Sequence, residues 1–335
     1  MQKYHSIDIS KHAFLVTGGA GFIGSNIIEY LIQHSAKKVV VLDNLSTGFA
    51  ENIKPFLSNS NFKFIQGDIC DLNVCKTSCE NIDFVFHQAA LGSVPRSIEN
   101  PIATHNANAS GFLSVLMAAK NANVKRIVYA SSSSVYGDST DSPKKEGKIG
   151  KPLSPYAVSK LVNEFYADIF VRTYNMEIIG LRYFNIFGPK QNPKGEYAAA
   201  IPLFIDGLLH PVDNINGVNN KPVYINGDGN QSRDFTFIEN AVQANIKAMF
   251  CEKKEAIGNV FNIAMGEKIS VNELFNTLKK ITNSSLNATH REERRGDVKN
   301  SLADISKAKT ILGYSPSVKT EEGLKRTVEW FDKKV

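Results

Sequence analysis

Four consecutive serines, Ser131 to Ser134, follow the apolar stretch RIVYA at the point where a buried strand would end. Each hydroxyl there loses water and needs another hydrogen-bond partner. Further along, Tyr156 and Lys160 are four residues apart in SPYAVSK, so a helix would project both side chains from one face. A phenol has a pKa of about 10 and is a weak base at neutral pH, but an ammonium neighbour stabilises the phenolate. The spacing therefore predicts that Tyr156 takes a proton from a substrate alcohol, with serine hydroxyls alongside.

A glycine-rich segment, TGGAGFIGSN, stands between an apolar run and a helical pattern. Its glycines at 18, 21 and 24 permit a tight turn, the approach of a pyrophosphate to backbone N–H groups, and close packing of the next helix. Asp43 ends the second apolar run, about 20 residues on, where a carboxylate accepts hydrogen bonds from a ribose diol. A carboxylate repels a 2′-phosphate, and the adjoining NLSTG contains no arginine. The segment therefore predicts a dinucleotide site that prefers NAD to NADP, with a cationic nicotinamide that would lower the pKa of Tyr156 further.

Three other groups of residues at strand ends extend this prediction. Asp68 and Ile69 would suit the adenine edge, although an aspartate at a strand end is as often a simple cap. Gln88, Ala89 and Ala90 would line the cofactor after the fourth strand.

The elements that position these residues alternate between apolar runs and amphipathic segments, in the rhythm of βαβ units. We predict strands at 13–18, 38–43, 62–68, 83–89, 126–132 and 177–185, with helices at 26–34, 112–122 and 156–174. Several strands are apolar on consecutive residues, as strands covered on both faces are. The predicted fold class is α/β, a Rossmann-type doubly wound parallel sheet. The carboxyl ends of its strands form a ligand crevice, which would collect the glycine turn, the serines and the tyrosine.

After Asn185 the pattern changes to long loops rich in Gly, Pro and Asn, followed by strands at 222–227 and 259–264 and helices at 239–250, 271–281 and 323–331. Ser270 with Glu273 has the spacing of a capping box before the second of these helices. We interpret residues 1–185 as an NAD-binding domain with a returning segment around 230–262. Residues 186–335 would form a smaller α/β substrate-binding domain, and the Asn-rich insertion 212–220 receives no function.

Composition narrows the class of protein. A chain of 335 residues with 42% hydrophobic residues can bury a large core. Its net charge of +6 comes from basic residues in small groups, which favours a solvated surface over a nucleic-acid face. The cysteines (Cys70, Cys75, Cys79 and Cys251) lack metal-ligand spacing, so we expect free thiols and no metal. No apolar run approaches the roughly 18 residues that span a bilayer. We therefore expect a cytoplasmic protein without nucleic-acid or membrane partners.

The motifs TGGAGFIG, DN at 43, GDI at 67, HQAA at 87, SSSSVYG, SPYAVSK, LRYFNIFGP and SRDF occur in this order. Together they resemble, over essentially the whole length, the extended short-chain dehydrogenase/reductases that act on nucleotide sugars. The resemblance implies that Ser132 is the catalytic hydroxyl, Tyr156 the base and Lys160 its activator. The full set of cofactor-binding residues that we predict is Gly18, Gly21, Phe22, Ile23, Gly24, Asp43, Asn44, Asp68, Ile69, Gln88, Ala89, Ala90, Asn108, Tyr156, Lys160 and Tyr183.

The reaction type follows from the residues after the catalytic hydroxyl. In this family the 4,6-dehydratases carry an Asp-Glu pair there and the decarboxylases a Glu, whereas this chain has Ser133 and Ser134. The resemblance therefore implies 4-epimerisation through a 4-keto sugar, with NAD regenerated in each turnover.

The segments around HQAALGSVPRSIENP are closest to bacterial UDP-N-acetylglucosamine 4-epimerases, which supply precursors for surface polysaccharides. Relatives confined to plain hexoses carry a tyrosine in place of Ser301, so a serine leaves room for an acetamido group. Departures at Ala200, Leu203 and Phe204 leave the sugar preference open. The substrate-binding residues that we predict are Gly92, Ser93, Ser132, Ser133, Tyr156, Asn185, Ala199, Ala200, Phe204, Tyr224, Asn226, Arg233, Arg294, Asp297 and Ser301, of which Asn185, Arg233 and Arg294 would contact the diphosphate.

Two alternatives remain at this point. Epimerases of UDP-N-acetylglucosaminuronic acid share these motifs, and a non-catalytic NAD-binding sensor could use the same fold, although the presence of both Tyr156 and Lys160 disfavours it. The resemblance also implies a homodimer, in which helices from about Thr104 to Asn121 and from Ser154 to Tyr174 form a four-helix bundle with a second copy.

Overall fold

A computed structural model of the chain describes residues 1–193, 199–210, 223–293 and 300–333. Its strands are β1 (Ala13–Thr17), β2 (Lys38–Asp43), β3 (Phe62–Gln66), β4 (Phe84–His87), β5 (Arg126–Ser132), β6 (Ile178–Tyr183), β7 (Ile186–Phe187), β8 (Tyr224–Asn226), β9 (Ser232–Arg233), β10 (Thr236–Phe237), β11 (Val260–Ile263), β12 (Ile269–Ser270) and β13 (Thr289–Arg291). Its α-helices are α1 (Phe22–Gln33), α2 (Ala50–Ile53), α3 (Leu72–Ser78), α4 (Val94–Glu99), α5 (Pro101–His105), α6 (Gly111–Asn121), α7 (Pro155–Tyr174), α8 (Ala200–Leu209), α9 (Ile238–Met249), α10 (Val271–Ile281) and α11 (Thr320–Asp332).

Seven strands form one sheet in the order β11-β6-β5-β4-β1-β2-β3. Every neighbouring pair in this sheet is parallel. The chain leaves β1 toward one edge of the sheet and returns at β4 toward the other, so the connections diverge between β1 and β4 and open a crevice there. The predicted α/β class with a Rossmann-type sheet is confirmed, and the six strands predicted in the first half all lie within it.

Both faces of the sheet are covered, which explains the continuous apolar runs. One buried cluster includes Phe14, Phe86 and Ile28 and extends to α9, while the other includes Val85, Phe112 and Leu116 on the opposite face. Strand β11 pairs with β6 at one edge of this sheet, and α9 belongs to the first cluster.

A third apolar cluster holds the C-terminal part together. It joins α8, α10 and α11 through residues such as Phe204, Leu278 and Leu324. The predicted capping box is present: the Ser270 hydroxyl accepts the N–H of Glu273, whose carboxylate accepts the N–H of Ser270. The Asn-rich insertion lies outside the described residues. Within the described ranges, no helix has the length and apolar character needed to cross a membrane.

The helix predicted at 112–122 is longer than expected. It begins at Pro101, capped by the Asn100 side chain on the N–H of Ala103, passes through a π-helical turn at Asn106–Ser110 and continues as α6. Polar residues in NANAS hide the helical periodicity. A π-helical turn redirects the side chains within it, and here it includes Asn108.

Candidate active site

A cleft of about 810 Å³ lies at the carboxyl edge of the sheet and contains most of the predicted site. The predicted cofactor residues that line it are Gly18, Gly21, Phe22, Ile23, Gly24, Asp43, Asn44, Asp68, Ile69, Gln88, Ala89, Ala90, Tyr156, Lys160 and Tyr183. The predicted substrate residues that line it are Gly92, Ser93, Ser132, Tyr156, Asn185 and Ala199. The fold therefore brings residues from positions 18 to 199 together in one cleft.

The glycine turn at the start of α1 fits an anionic ligand. Gly18 has a φ of +69°, and a Cβ there would lie 2.5 Å from the backbone N of Ala89. A Cβ on Gly24 would lie 2.2 Å from the carbonyl oxygen of Gly18. Gly21 caps α1 without a side-chain hydrogen bond, so the helix presents backbone N–H groups and its positive dipole end to the cleft. This backbone cradle suits a pyrophosphate.

The two acidic residues of the cleft hold backbone as well as facing the ligand space. Asp43 is buried and accepts the N–H groups of Ala20 at 2.9 Å and Leu45 at 2.8 Å; burial raises the pKa of its carboxyl despite these bonds. The N–H of Cys70 lowers the pKa of Asp68, whose other oxygen accepts the side-chain amide of Asn44. Both carboxylates therefore keep fewer free acceptor positions than the sequence indicates.

One wall of the cleft is a hydrogen-bonded group of three side chains. The Asn245 amide donates to the Tyr183 hydroxyl at 2.8 Å, and the Gln88 amide donates to the Asn245 carbonyl oxygen at 3.1 Å. Asn245 is fully buried on α9, 62 residues from Tyr183. These bonds fix the Gln88 and Tyr183 side chains where β4 and β6 end.

Ser132, Tyr156 and Lys160 meet at the middle of the cleft. Ser132 ends β5; its hydroxyl accepts the N–H of Ser134 at 3.1 Å and lies close enough to the Tyr156 hydroxyl to lower the pKa of that phenol. Ser154 caps α7, and this sets the rotation of the helix that carries the other two residues. The Lys160 ammonium lies 6.0 Å from the centre of the Tyr156 ring and donates to the carbonyl oxygen of Ala130 at 2.9 Å.

The pKa values of this group differ from the sequence-based expectation. Burial raises the pKa of Tyr156, and the hydrogen bond with Ser132 offsets only part of that effect. Burial also lowers the pKa of Lys160 to about 8. The ammonium points to Ala130, so in the chain alone it does not produce the low phenol pKa that we expected. A positive charge above the ring would have to supply the remaining stabilisation of the phenolate.

The serines of the cluster at 131–134 differ in their contacts. Ser131 donates to the Glu164 carboxylate at 2.6 Å, and Glu164 in turn binds the Arg182 guanidinium at 2.7 Å. Ser131 lines the cleft, and its hydroxyl connects the end of β5 to the Glu164–Arg182 pair. Ser133, predicted to bind substrate, begins a short 3₁₀ turn and does not line the cleft, while the Ser134 hydroxyl is buried without a partner among the described residues.

The part of the cleft next to Gly92 and Ser93 includes a residue that we did not predict from the sequence. Arg96 lines the cleft beside Gly92 and Ser93 and donates to the Gly92 carbonyl oxygen at 3.1 Å. Ser93 has a φ of +104°, an unfavourable value for serine, and its hydroxyl accepts the N–H of Arg96. The strained turn presents α4 toward the cleft.

Gln191 is the most informative of the missed residues. Its amide nitrogen donates to the Ile186 carbonyl oxygen at 3.3 Å, but its amide oxygen is buried and has no partner among the described residues. The loop that carries it is fixed to α1 by the Lys190–Glu29 ion pair at 2.6 Å. A ligand donor in the cleft could satisfy the Gln191 oxygen.

Several predicted residues lie elsewhere. Asn108 is buried and braces the cleft loop by binding both backbone groups of Leu91, which supports a structural role. Phe204 packs edge-on against Phe275 inside the C-terminal cluster, because its position on α8 faces inward. The others outside the described wall are Ala200, Tyr224, Asn226, Arg233 and Ser301, whereas Arg294 and Asp297 lie outside the described residues.

The remaining residues of the wall that we did not predict are Leu42, Ser46, Thr47, Gly48, Phe49, Gly67, Leu91, Ala107, Ala130, Ser131, Ile186 and Asn192. Most adjoin a predicted strand end, so sheet topology was the available signal. For Gly48 the reason is steric, since a Cβ there would lie 2.9 Å from Ala20. Among the described residues, no group of three or more His, Cys, Asp or Glu could hold a metal ion.

His87, next to the cleft, predicts how stability depends on pH. The ring is 1% exposed, lies 2.8 Å from the Thr17 hydroxyl, and has its pKa lowered to about 3 by burial. Between pH 6.5 and 3 the unfolded chain binds a proton that the folded chain refuses, so stability rises with pH in this window and is fully present above 6.5. We expect His87 to lower the free energy of unfolding by about 2 kcal/mol at pH 5 relative to neutral pH.

Urea titrations at pH 7 and pH 5 measure this loss. His87→Gln should show a smaller loss than the wild type. His5 also has a lowered pKa, to about 4, so His5→Gln is the control that retains the contribution of His87. Equal losses in wild type and His87→Gln would contradict the assignment.

The parallel sheet, the glycine turn and the Ser132–Tyr156–Lys160 group define a dinucleotide-binding enzyme of the short-chain dehydrogenase/reductase class. Residues 14–264 match the model of the NAD dependent epimerase/dehydratase family. The chain belongs to this family, which confirms both the resemblance and, at the level of the family, the prediction of NAD.

Three relatives illustrate the range of sugars. The chain is 38% identical to UDP-N-acetylglucosamine 4-epimerase of Methanobrevibacter ruminantium in complex with UDP-N-acetylmuramic acid, with a TM-score of 0.87 over 97% of this chain and 99% of that one. It is 36% identical to UDP-glucose 4-epimerase of Thermotoga maritima with UDP-glucose, with a TM-score of 0.87 over 96% and 99%. It is 34% identical to UDP-glucuronate 4-epimerase of Thermodesulfobacterium geofontis over 95% of each chain.

Proposed function

We propose that the protein is an NAD-dependent 4-epimerase that interconverts UDP-N-acetylglucosamine and UDP-N-acetylgalactosamine through a 4-keto sugar. The observation that carries the proposal is the distribution of acids in the cleft. Among its described lining residues, the carboxylates are Asp43 and Asp68, and both lie at the glycine-turn end with backbone partners. The catalytic end offers a phenol, hydroxyls and an ammonium, which suit reversible oxidation of an alcohol and provide no acid for dehydration.

In this proposal the residues of the chain move one proton. Tyr156 accepts the proton of the C4 hydroxyl, and Ser132, which lies next to Tyr156 at the end of β5, orients that hydroxyl. Lys160 holds positive charge one helical turn from Tyr156 and supports the phenolate. The glycine turn and Asp43 would hold NAD, which would supply the acceptor and donor for the hydride of C4. The 4-keto sugar would turn about its diphosphate linkage so that hydride returns to the opposite face of C4, and Tyr156 then returns the proton to the C4 oxygen.

The acetamido group is supported by Gln191. The Gln191 amide oxygen is buried without a hydrogen-bond partner among the described residues, which is unfavourable unless a ligand donates a hydrogen bond to it. The N–H of an acetamido group is such a donor. Ser301 leaves volume where a tyrosine would narrow the pocket, although it lies outside the described wall. The relative from M. ruminantium carries the name of an N-acetylated sugar epimerase.

Replacement of Gln191 by methionine, which keeps the length and removes the amide, tests this contact. We expect kcat/KM for UDP-N-acetylglucosamine to fall about tenfold while that for UDP-glucose changes much less, because only the former loses a hydrogen bond to a buried group. Asp206→Asn, on the exposed side of α8, is the control. Equal losses on both sugars would show that Gln191 does not read the acetamido group.

A second candidate is favoured by Arg96. It is one of the two cations in the described wall, with Lys160, and a guanidinium there could pair with the C6 carboxylate of UDP-N-acetylglucosaminuronic acid. NMR of reaction mixtures with a panel of UDP sugars, without added NAD, separates the two. We expect the N-acetylhexosamine pair to turn over fastest. Faster turnover of the uronic acid would establish the second candidate, and no turnover on any UDP sugar would refute both and favour a sensor.

We also propose a homodimer through the helices predicted to form a four-helix bundle. Their described faces expose large apolar side chains, among them Ile102, Val158, Phe165 and Ile169. Since α5 and α7 pack against each other, these exposed apolar side chains lie on adjoining helices, and such a grouping is typical of an interface. Light scattering of the purified protein measures the mass in solution.

A further inference from the structure

Asp234, directly after β9, binds backbone from two distant segments. Its side chain is fully buried. One carboxylate oxygen accepts the N–H groups of Met265 at 3.0 Å and Gly266 at 3.2 Å, and the other accepts those of Gly266 at 3.1 Å and Ala303 at 3.2 Å. The turn after β11 and the segment that follows Ser301 therefore share one carboxylate.

Among the described residues, every hydrogen bond that this carboxylate accepts comes from a backbone N–H group. Burial raises its pKa to about 7, and the bonds from Ala303, Met265 and Gly266 act in the opposite direction. A buried carboxylate is unfavourable unless its hydrogen bonds are complete. The carboxylate joins three segments of the chain, which indicates that the positions of these segments relative to one another must be fixed.

The backbone of Asp234 contacts a residue that lines the cleft. The Asp234 carbonyl oxygen accepts the side-chain amide of Asn185 at 3.1 Å, and the Asn185 carbonyl oxygen accepts the N–H of Thr236 at 3.2 Å. Asn185 lines the cleft with a φ of +37°, a conformation that asparagine tolerates better than most residues. Its orientation therefore depends on residues 234 and 236.

A parallel connection runs through the residue two before Asp234. The Ser232 hydroxyl donates to the Asn300 side-chain oxygen at 2.7 Å, and the Ser232 carbonyl oxygen accepts the N–H of Ser301 at 3.0 Å. Ser232 and Asp234 flank Arg233 in the chain. Their hydrogen bonds thus connect this stretch to the segment that carries Ser301 and to Asn185 in the cleft wall.

We propose that Asp234 is a positioning residue for the nucleotide sugar: it holds Asn185 in the cleft wall and the adjoining Arg233 and Ser301 in fixed positions, so that Asn185 and Arg233 are placed for the diphosphate and Ser301 for the sugar. This inference rests on the proposed function. Asp234 touches neither the reacting carbon nor NAD in this scheme, so its loss acts on substrate binding more than on the chemical step.

Asp234→Asn tests the proposal, because an amide in place of the carboxylate points an N–H at one of the backbone N–H groups and leaves it without an acceptor. We expect KM for the preferred UDP sugar, and the Kd for UDP by calorimetry, to rise at least about tenfold. The kcat and the amount of bound NAD should change less than about threefold. Asp83→Asn is the matched control, because Asp83 accepts the N–H of Ala13 at the amino ends of β1 and β4, on the side of the sheet opposite to the cleft. This substitution should lower Tm and leave KM unchanged.

Ser232→Ala provides a second variant if Asp234→Asn fails to fold. It removes only the bond to Asn300, and we expect a smaller rise of KM and of the Kd for UDP in the same direction. Unchanged UDP affinity in the folded variants, or a loss confined to kcat, would overturn the positioning role. A wild-type protein that binds UDP yet converts no UDP sugar would refute the proposed function alone, and the calorimetric comparison would still decide the role of Asp234.

Discussion

Replacement of Tyr156 by phenylalanine is expected to lower kcat by a factor of about 10²–10⁴ while the fold and the bound NAD are retained. The change removes one oxygen, which lies next to Ser132, and leaves the ring packing in place. Without that oxygen no group in the described wall is placed to take the C4 proton, since Lys160 points to the Ala130 carbonyl oxygen. KM should change little, because the hydroxyl acts mainly in the transition state.

The measurement is kcat and KM on the preferred UDP sugar, with Tm and NAD content determined on the same preparation. Tyr166→Phe is the matched control, since Tyr166 lies on the same helix, is partly buried and packs behind the sheet. It should retain activity. A Tyr156→Phe enzyme with near-normal kcat would remove the phenol from the mechanism.

Replacement of Glu164 by glutamine is expected to lower the free energy of unfolding by about 3 kcal/mol, because it leaves the Arg182 charge buried without its counter-charge. The two side chains are 9% and 4% exposed and are joined by two hydrogen bonds of 2.9 and 2.7 Å. Glu164 also accepts a hydrogen bond from Ser131, directly before Ser132, the proposed catalytic hydroxyl. We therefore expect a loss of kcat in addition to the loss of stability.

Urea unfolding at pH 7 gives the free energy, and Asp168→Asn is the control from the same helix. Asp168 pairs with Arg172 on the exposed surface, where ion pairs contribute little, so its loss should barely move the unfolding midpoint. If the two variants unfolded at the same urea concentration, the buried pair would not be stabilising the end of β5.

The strands and the glycine turn were predictable because their signals are local. Apolar runs bounded by polar residues predicted the exact bounds of β2 and β5, and the glycine spacing predicted the turn between β1 and α1. Both depend on sterics and burial within a few residues. The helix that passes through Asn108 was shortened in the prediction because a π-helical turn follows no 3.6-residue period.

The partners of the polar side chains were not predictable in the same way. Glu164 with Ser131, Asn245 with Tyr183 and Asp234 with Ala303 are joined across 33 to 69 residues by the packing of separate elements. Periodicity assigns a side chain to a face but not to a partner. The sign of the pKa shift of Tyr156 was missed for the same reason, since it depends on burial and on the direction of the Lys160 ammonium.

The reaction in D₂O tests the central claim most directly. The claim is that C4 is oxidised and reduced within one cleft and that Tyr156 moves only the hydroxyl proton. Incubation of UDP-N-acetylglucosamine with the purified protein in D₂O, followed by proton NMR, should show UDP-N-acetylgalactosamine that retains its original hydrogen on C4. Deuterium on C4 of the product, or a product altered at C5 or C6, would contradict the account.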